Sequence, residues 1–281
     1  MLLGSHLSIA GGVERALVRA HEFGFSTLAM FVRNQRQWAA PPLEERTVRA
    51  FRRTRRRLGI GPVVAHGSYL VNLAGADEVR GRSIAATAEE LDRCGRLGIE
   101  YLVIHPGSWP DRRVGIGHIA DALNQIMAAC WHRRPGILLE TTAGAGNMIG
   151  GEFGELADIL ALLEWPERFG VCLDTCHVFA AGYDIRSPHA YQRTMDQLDS
   201  LVGLERLAAV HLNDSLGGCG SRLDRHAHIG RGKIGGRGFA NFVNDSRLAD
   251  VPGLLETPKG LGPRGREWDL INAEALRSLR K

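Results

Sequence analysis

The sequence of 281 residues predicts an α/β protein that folds as one closed (β/α)8 barrel. Three observations lead to this prediction. Short apolar runs recur eight times, helix-like stretches separate them, and the chain length suits eight strand-plus-helix units. No long Pro-, Ser- or Gly-rich linker divides the chain, so we assign residues 1–281 to a single TIM-barrel domain.

The eight runs have few polar interruptions, which is typical of parallel strands that are buried on both faces. We predict strands at 2–3, 27–31, 62–65, 101–104, 136–139, 170–173, 207–210 and 251–255. Apolar residues at helical spacing predict helices between these runs, over 85–97, 153–163 and 190–201. Gly98 is a stop signal for the first of these helices.

Each of the last six runs is followed directly by a residue that can bind a metal ion or exchange a proton. These residues are His66, His105, Glu140, Asp174, His211 and Glu256. In a barrel the carboxyl ends of the strands meet at one mouth, where the active sites of this fold lie. A single polar residue at a strand end usually makes a structural hydrogen bond. Clustered carboxylates, however, would repel one another unless a cation lay among them.

Three further residues of ligand type lie nearby in the chain. His177 follows Asp174 by three residues, and Asp224 and His226 would project to one side of an extended segment. The nine residues together exceed what one four-coordinate ion needs, and they predict a cluster of two or three ions with a bridging carboxylate. Imidazole-rich sites favour zinc, with manganese or iron as substitutes. The set contains no thiolate, which indicates a catalytic site rather than a closed structural one.

Such a cluster predicts phosphodiester hydrolysis, because metal ions about 3.5–4 Å apart can activate a water and clamp the attacking and leaving oxygens. The formal net charge of +4 is compatible with a polyanionic substrate. No run of about 18 apolar residues is present, so we predict no association with a membrane. The first residues do not resemble a signal peptide, and the five cysteines are an odd number. We therefore expect reduced thiols and a cytoplasmic location.

Several motifs follow one another in a specific order. They are GSHLSIAGG at 4–12, NQRQW at 34–38, HGSYLVNL at 66–73, HPG at 105–107, LET at 139–141, LDTCH at 173–177, HLNDS at 211–215, DRHAHIGRG at 224–232 and LETP at 255–258. Each motif alone is modest, but the ordered set is highly specific. The chain resembles endonuclease IV, the zinc-dependent apurinic/apyrimidinic endonuclease family of base-excision repair, over essentially its full length.

The resemblance implies three zinc ions, with manganese as a possible substitute. One ion would be held by His66, His105 and Glu140, a second by Glu140, Asp174, His211 and Glu256, and a third by His177, Asp224 and His226. Glu140 and Glu256 would take part in catalysis as metal ligands, without a separate side-chain base. The implied reaction is hydrolysis of the phosphodiester 5′ to an abasic site, which leaves a 3′-hydroxyl and a 5′-deoxyribose phosphate.

The resemblance also implies which side chains contact double-stranded DNA at an abasic site. Asn34, Gln35 and Arg36 follow the second strand, and Arg36 would push into the base stack. Tyr69 and Leu70 follow the third strand and would fill the space left by the extruded abasic nucleotide. Inserted side chains offset the cost of unstacking, and flipping costs least where a base is already missing. We expect the protein to act as a monomer.

Two other functions remain open from the sequence. A single-metal sugar isomerase or epimerase of related barrel architecture would use Glu140, Asp174, His211 and Glu256, and it would need neither the other five ligands nor the segment 34–36. A non-catalytic DNA-binding protein would be recognised by the loss of a ligand, and all nine positions hold the family's residue type. We interpret the arginine-rich segment 46–57 as the solvated face of an outer helix. We expect His6 to support the metal ligands or to pack beside them rather than to bind a metal ion itself.

Overall fold

The computed structural model describes residues 1–130 and 135–281. Within these ranges, eight parallel strands form a single sheet, and a bridge between His6 and Ala29 joins its two edge strands into a barrel. The strands are Leu2–Ser5, Leu28–Phe31, Val63–His66, Tyr101–Ile104, Gly136–Glu140, Phe169–Asp174, Leu207–His211 and Pro252–Leu255. Each strand overlaps one of the predicted runs, so the (β/α)8 barrel is confirmed.

Helices surround the barrel and connect its strands. In the described residues, helices α1 to α9 are Val13–Glu22, Glu45–Leu58, Asp77–Leu97, Arg112–Cys130, Phe153–Ala161, Thr175–Ala181, Pro188–Leu201, Gly235–Val243 and Trp268–Ser278. Helix α3 ends at Gly98, which has a φ of +79°, as the sequence predicts. It begins eight residues before the predicted start, because its first two turns are polar and give no apolar period. No helix among the described residues is both long and apolar enough to cross a membrane.

Two short antiparallel pairs lie in the loops at the mouth of the barrel. Gly107–Ser108 pairs with Met148–Ile149, and Asp214–Ser215 pairs with His226–Ala227. The second pair matters for the site, because it holds the segment that carries Asp224 against the loop after the seventh strand.

The inside of the barrel is filled by one apolar side chain from each strand after the first. This ring consists of Ala29, Val64, Val103, Leu138, Cys172, Ala209 and Leu254. The larger apolar cluster lies outside the sheet, between strands and helices. The ring closes the barrel beneath the mouth, so that side chains nearer the carboxyl ends of the strands surround a space above an apolar floor.

Helix α2 has an exposed face that is rich in arginine. Val48 and Phe51 are buried against the barrel, whereas six arginines on the helix are exposed. These are Arg46, Arg49, Arg52, Arg53, Arg56 and Arg57. The structure therefore agrees with the interpretation of this segment as a solvated outer face.

Candidate metal centre

The six predicted residues at strand ends point into the mouth because of strand geometry. Each lies two residues beyond a member of the apolar ring on the same strand, as His66 does beyond Val64 and Glu140 beyond Leu138. Residues two apart on a strand share a face, so each of these side chains continues the inward-facing row of its strand. Four of the six are fully or almost fully buried, namely His66, Glu140, Asp174 and His211.

Glu140 is at the centre of the candidate site. Its Oε2 atom lies 3.1 Å from Nε2 of His66 and 3.0 Å from Nε2 of His105. Its Oε1 atom lies 2.8 Å from Nδ1 of His211. The carboxylate therefore faces two groups of ligands at once, which is the position that a bridging ligand requires.

The second predicted group surrounds His211, which is completely buried. Nδ1 of His211 lies 3.2 Å from Oε2 of Glu256 and 3.9 Å from Oδ2 of Asp174. One ligand atom from each of these residues and from Glu140 lies within 4.8 Å of all the others. The same holds for the predicted group of His66, His105 and Glu140. Both groups are thus compact enough to hold one ion each.

The third predicted group comes together around Asp224. Its Oδ1 atom lies 3.2 Å from Nε2 of His177 and 3.4 Å from Nε2 of His226. Asp174 caps the N-terminus of α6 by accepting a hydrogen bond of 2.9 Å from the backbone N–H of His177, and this fixes the start of the helix that carries His177. All nine predicted ligands therefore surround one mouth.

The structure places one more residue of ligand type near the third group, and the sequence prediction did not include it. Cys176 is a free, buried cysteine, and it belongs to a compact group with Asp224 and His226. Cys176 lies inside α6 and does not directly follow a strand, so the strand-end pattern does not indicate it. Its position directly before His177 in the chain was the one available signal.

Backbone carbonyls and one amide side chain orient the ligands. Nδ1 of His66 lies 2.8 Å from the carbonyl of Gly67, and Nδ1 of His177 lies 2.8 Å from the carbonyl of Thr141. An Nδ1–H that donates to a carbonyl leaves Nε2 as the atom with a free lone pair. Asn213 donates to Oδ2 of Asp174 over 2.6 Å and accepts from the backbone N–H of Glu256 over 2.9 Å. No local signal in the sequence indicates these roles of Thr141 and Asn213.

The carboxylates change the proton affinity of the imidazoles. Burial lowers the pKa of His177, but Asp174 and Asp224 outweigh burial and raise the pKa to about 10. Burial and the same two carboxylates act in the same way on His226, whose pKa rises to about 9. Burial raises the pKa of Glu140, but His211 and His105 hold it well below its usual range. In the metal-free chain, protons on the imidazoles balance the negative charge of the carboxylates. Divalent cations can replace these protons.

Buried polar atoms that lack a hydrogen-bond partner indicate whether metal ions fit this site. Nε2 of His226 is buried and has no hydrogen-bond partner among the described residues, and it lies 3.8 Å from Oδ2 of Asp174. Buried polar atoms without partners cost free energy, so such atoms beside buried carboxylates indicate that a ligand is needed. A donor set of imidazole nitrogens and carboxylate oxygens fits zinc or manganese.

The predicted DNA-contacting residues lie on two loops at the same mouth. Asn34 and Arg36 are exposed, and Oδ1 of Asn34 accepts a hydrogen bond from the backbone N–H of Arg36. Tyr69 has 61% of its surface exposed, although its ring lies 5.6 Å from that of His66. Gln35 and Leu70 are half-buried. Gln35 and Tyr69 line a cavity of about 410 Å³, which Glu256 also borders.

Comparison with known proteins places the chain in a family. A family model described as a xylose isomerase-like TIM barrel matches residues 17–281. A probable endonuclease 4 of Chloroflexus aurantiacus is 49% identical over 98% of this chain and 97% of its own length. The chain belongs to the endonuclease IV family. Another relative, a probable endonuclease 4 of Oleidesulfovibrio alaskensis, is 48% identical over 99% of this chain and 95% of its own.

Solved structures agree with membership of the endonuclease IV family. The crystal structure of endonuclease IV from Thermus thermophilus is 40% identical, with a TM-score of 0.89 over 99% of this chain and 98% of that one. A D-tagatose 3-epimerase-like protein has a TM-score of 0.75 at 17% identity, covering 99% of this chain and 97% of its own. The second similarity shows the fold alone. The shared barrel explains why the sequence left an isomerase or epimerase open.

Proposed function

We propose that this chain is a DNA-repair endonuclease that hydrolyses the phosphodiester 5′ to an abasic site and leaves a 3′-hydroxyl and a 5′-deoxyribose phosphate. The observation that carries the proposal is the set of nine ligand-type residues around one mouth in a member of the endonuclease IV family. A single-metal epimerase would need only the group around His211. It would leave five residues without a role, namely His66, His105, His177, Asp224 and His226.

We assign three zinc ions to the three groups, and manganese is an acceptable substitute for the same donors. When bound, the ions supply Lewis acidity, which activates a water and neutralises the charge of the phosphate. The protein's own contribution is orientation. Glu140 faces two groups through its two oxygens, and carbonyl contacts hold the rings of His66 and His177. No additional side-chain base is required, so Glu140 and Glu256 act as ligands.

Recognition of the abasic site is assigned to the two exposed loops. Arg36 and Tyr69 project from the mouth, where an exposed side chain can enter a base stack without disturbing the barrel. Leu70 adds apolar surface beside Tyr69, and Asn34 and Gln35 shape the loop that carries Arg36. The cavity beside Tyr69 offers room for an extruded sugar that carries no base.

One experiment combines metal analysis with an incision assay. We expect about three metal ions per chain, as a multi-metal site requires. We also expect incision of a duplex that contains a tetrahydrofuran abasic analogue, with a 3′-hydroxyl at the cut, even after brief exposure to EDTA. About one ion per chain, no incision and turnover of a ketose would favour the epimerase. Binding of the abasic duplex without incision would favour a non-catalytic binding protein.

A further inference from the structure

A buried glutamate lies beneath both of the proposed DNA-contacting loops. Glu90, on α3, has 1% of its side chain exposed, and Nε of Arg33 donates to its Oε1 atom over 2.7 Å. The Arg33 side chain is equally buried. The same Oε1 atom accepts a hydrogen bond of 3.2 Å from the backbone N–H of Ser68. One carboxylate therefore contacts the base of the loop after the second strand and the base of the loop after the third.

Both contacts lie next to side chains that the proposed function uses. Arg33 directly precedes Asn34, and its Nη1 atom donates to the carbonyl of Trp38 over 2.8 Å, so its side chain spans the whole segment 34–38. Ser68 directly precedes Tyr69, and its hydroxyl donates to the carbonyl of Gln35 over 2.7 Å. The two loops are therefore linked to each other as well as to Glu90.

Helix α3 holds these loops at two further points. The guanidinium of Arg82 lies 4.5 Å from the centre of the Trp38 ring, a distance typical of a cation–π contact. The hydroxyl of Ser83 accepts a hydrogen bond of 3.0 Å from the backbone N–H of Asn72, beyond Tyr69. Both loops thus rest on one long helix, which fixes their relative positions.

Stability alone does not account for the ion pair. Burial raises the pKa of Glu90 although Arg33 lies beside it, and Nη2 of Arg33 is buried without a hydrogen-bond partner among the described residues. Buried ion pairs often stabilise a fold no better than apolar residues of the same size, and their best-attested benefit is conformational specificity. What this pair specifies is the arrangement of the two loops.

We propose that Glu90 and Arg33 are positioning residues that hold segments 34–38 and 68–70 in one arrangement, so that Arg36 and Tyr69 meet an abasic duplex together. The inference rests on the proposed function. Neither positioning residue contacts DNA, because both are buried beneath the loops. Ordering the loops before binding lowers the entropic cost of engaging the duplex, and this favours abasic DNA, where both side chains can insert.

The test compares Glu90→Gln with the wild type. Glutamine keeps the size of the side chain but removes the carboxylate charge nearest to Arg33 and leaves Glu89, 3.5 Å from Nη1 of Arg33, as its acidic neighbour. We expect the Kd for abasic duplex to rise about tenfold, while the Kd for undamaged duplex changes by less than about twofold. We expect kcat at saturating substrate and metal content to stay at the wild-type level. A change in kcat with no change in discrimination would contradict a positioning role.

A matched control separates positioning from general destabilisation. Glu155 is another buried glutamate that pairs with an arginine, Arg112, over 2.6 Å and accepts a backbone hydrogen bond, from Gly150. Glu155 lies on α5, and neither this helix nor the loop with Gly150 carries a proposed DNA contact. Glu155→Gln should lower the Tm less than Glu90→Gln, because the Arg112 side chain is 40% exposed and that of Arg33 is 1% exposed, and it should leave the ratio of the two Kd values unchanged.

Two further variants keep the proposal falsifiable if Glu90→Gln does not fold. Ser68→Ala removes the link to Gln35 without leaving a buried charge, and it should reduce discrimination in the same direction. In a double-mutant cycle, the effect of Ser68→Ala or Glu90→Gln on discrimination should shrink in a Tyr69→Ala background, because both act through that side chain. The inference would be overturned if Ser68→Ala and any folded Glu90→Gln discriminate between abasic and undamaged duplex as well as the wild type does. It would also be overturned if their effects on this discrimination add fully to the effect of Tyr69→Ala. Absence of incision by the wild type would instead overturn the proposed function.

Discussion

The Nδ1 atom of His6 lies 2.9 Å from Oε1 of Glu256, although the two residues are 250 positions apart in the chain. They follow the first and last strands of the barrel, which pair with each other. Burial lowers the pKa of His6 despite the adjacent Glu256, so the ring is neutral at physiological pH and donates through Nδ1–H. The other oxygen of Glu256 faces His211 at 3.2 Å. His6 therefore orients a carboxylate that the proposed function assigns to a metal ion.

Replacing His6 with alanine should weaken metal binding without abolishing it. Loss of a residue that orients a ligand typically lowers metal affinity about 10- to 100-fold. We expect His6→Ala to lose incision activity when zinc is limiting and to recover it in excess zinc. His21→Ala, at an exposed position on α1, is the control and should behave like the wild type. Unchanged zinc affinity in His6→Ala would mean that His6 only packs beside the site.

Glu140 should matter more for metal content than any other single ligand. Its carboxylate faces His66 and His105 on one side and His211 on the other. We expect Glu140→Gln to lower metal content from about three ions to about one and incision by roughly 10³-fold or more. His105→Ala, which disturbs one group, should retain about two ions. Metal analysis and single-turnover incision check both values, and full metal content in Glu140→Gln would contradict the bridging role.

Metal binding at the third group should release protons. The pKa values of about 10 for His177 and about 9 for His226 mean that both rings are protonated near neutral pH in the metal-free chain. Protons and metal ions compete for the same lone pairs, so apparent affinity should keep rising with pH up to about 9–10. Titration calorimetry in buffers of different ionisation enthalpy should detect about two protons released at this group. No release would mean that the imidazoles are already neutral.

Tyr69→Ala should weaken discrimination between abasic and undamaged duplex and leave metal content intact. The side chain is 61% exposed, so its removal takes little from the core. We expect the Kd for abasic duplex to rise about 10- to 100-fold, consistent with 1–3 kcal/mol for an aromatic contact to a base. Leu162→Ala, at another exposed apolar position, is the control. Loss of metal from Tyr69→Ala would show that the tyrosine supports the site instead.

Arg36 at the mouth should contribute more to duplex binding than the exposed arginines on α2. Arg36 lies on a loop at the mouth, whereas Arg53 and Arg56 lie on the outer face of α2. Arg36→Ala should raise the Kd for abasic duplex about tenfold, and Arg53→Ala/Arg56→Ala should change it by less than about twofold at physiological salt. Binding measured at several salt concentrations checks this difference. A large effect of the double variant would show that duplex DNA extends over the outer helix.

The sequence by itself determined the barrel and most of the candidate site. Buried parallel strands are continuous apolar runs, so their positions are a local property of the chain. Residues two apart on a strand share a face, and His66, Glu140 and His211 therefore face the mouth wherever their strands form. Asp224 precedes the short strand that begins at His226, and their spacing of two predicts only that they project to one side. Only the resemblance to a known family assigned them to a third ion with His177.

Only the tertiary structure decided how these residues are held. The contacts of His6 with Glu256, of Asn213 with Asp174 and of Glu90 with Arg33 join segments between 39 and 250 positions apart. No local pattern encodes such pairs, because they depend on how helices and loops pack around the finished barrel. Asn213, Glu90 and Arg33 would be interpreted from the sequence as ordinary surface or loop residues. Their burial and their hydrogen-bond partners link them to the site, and burial is a property of the folded chain.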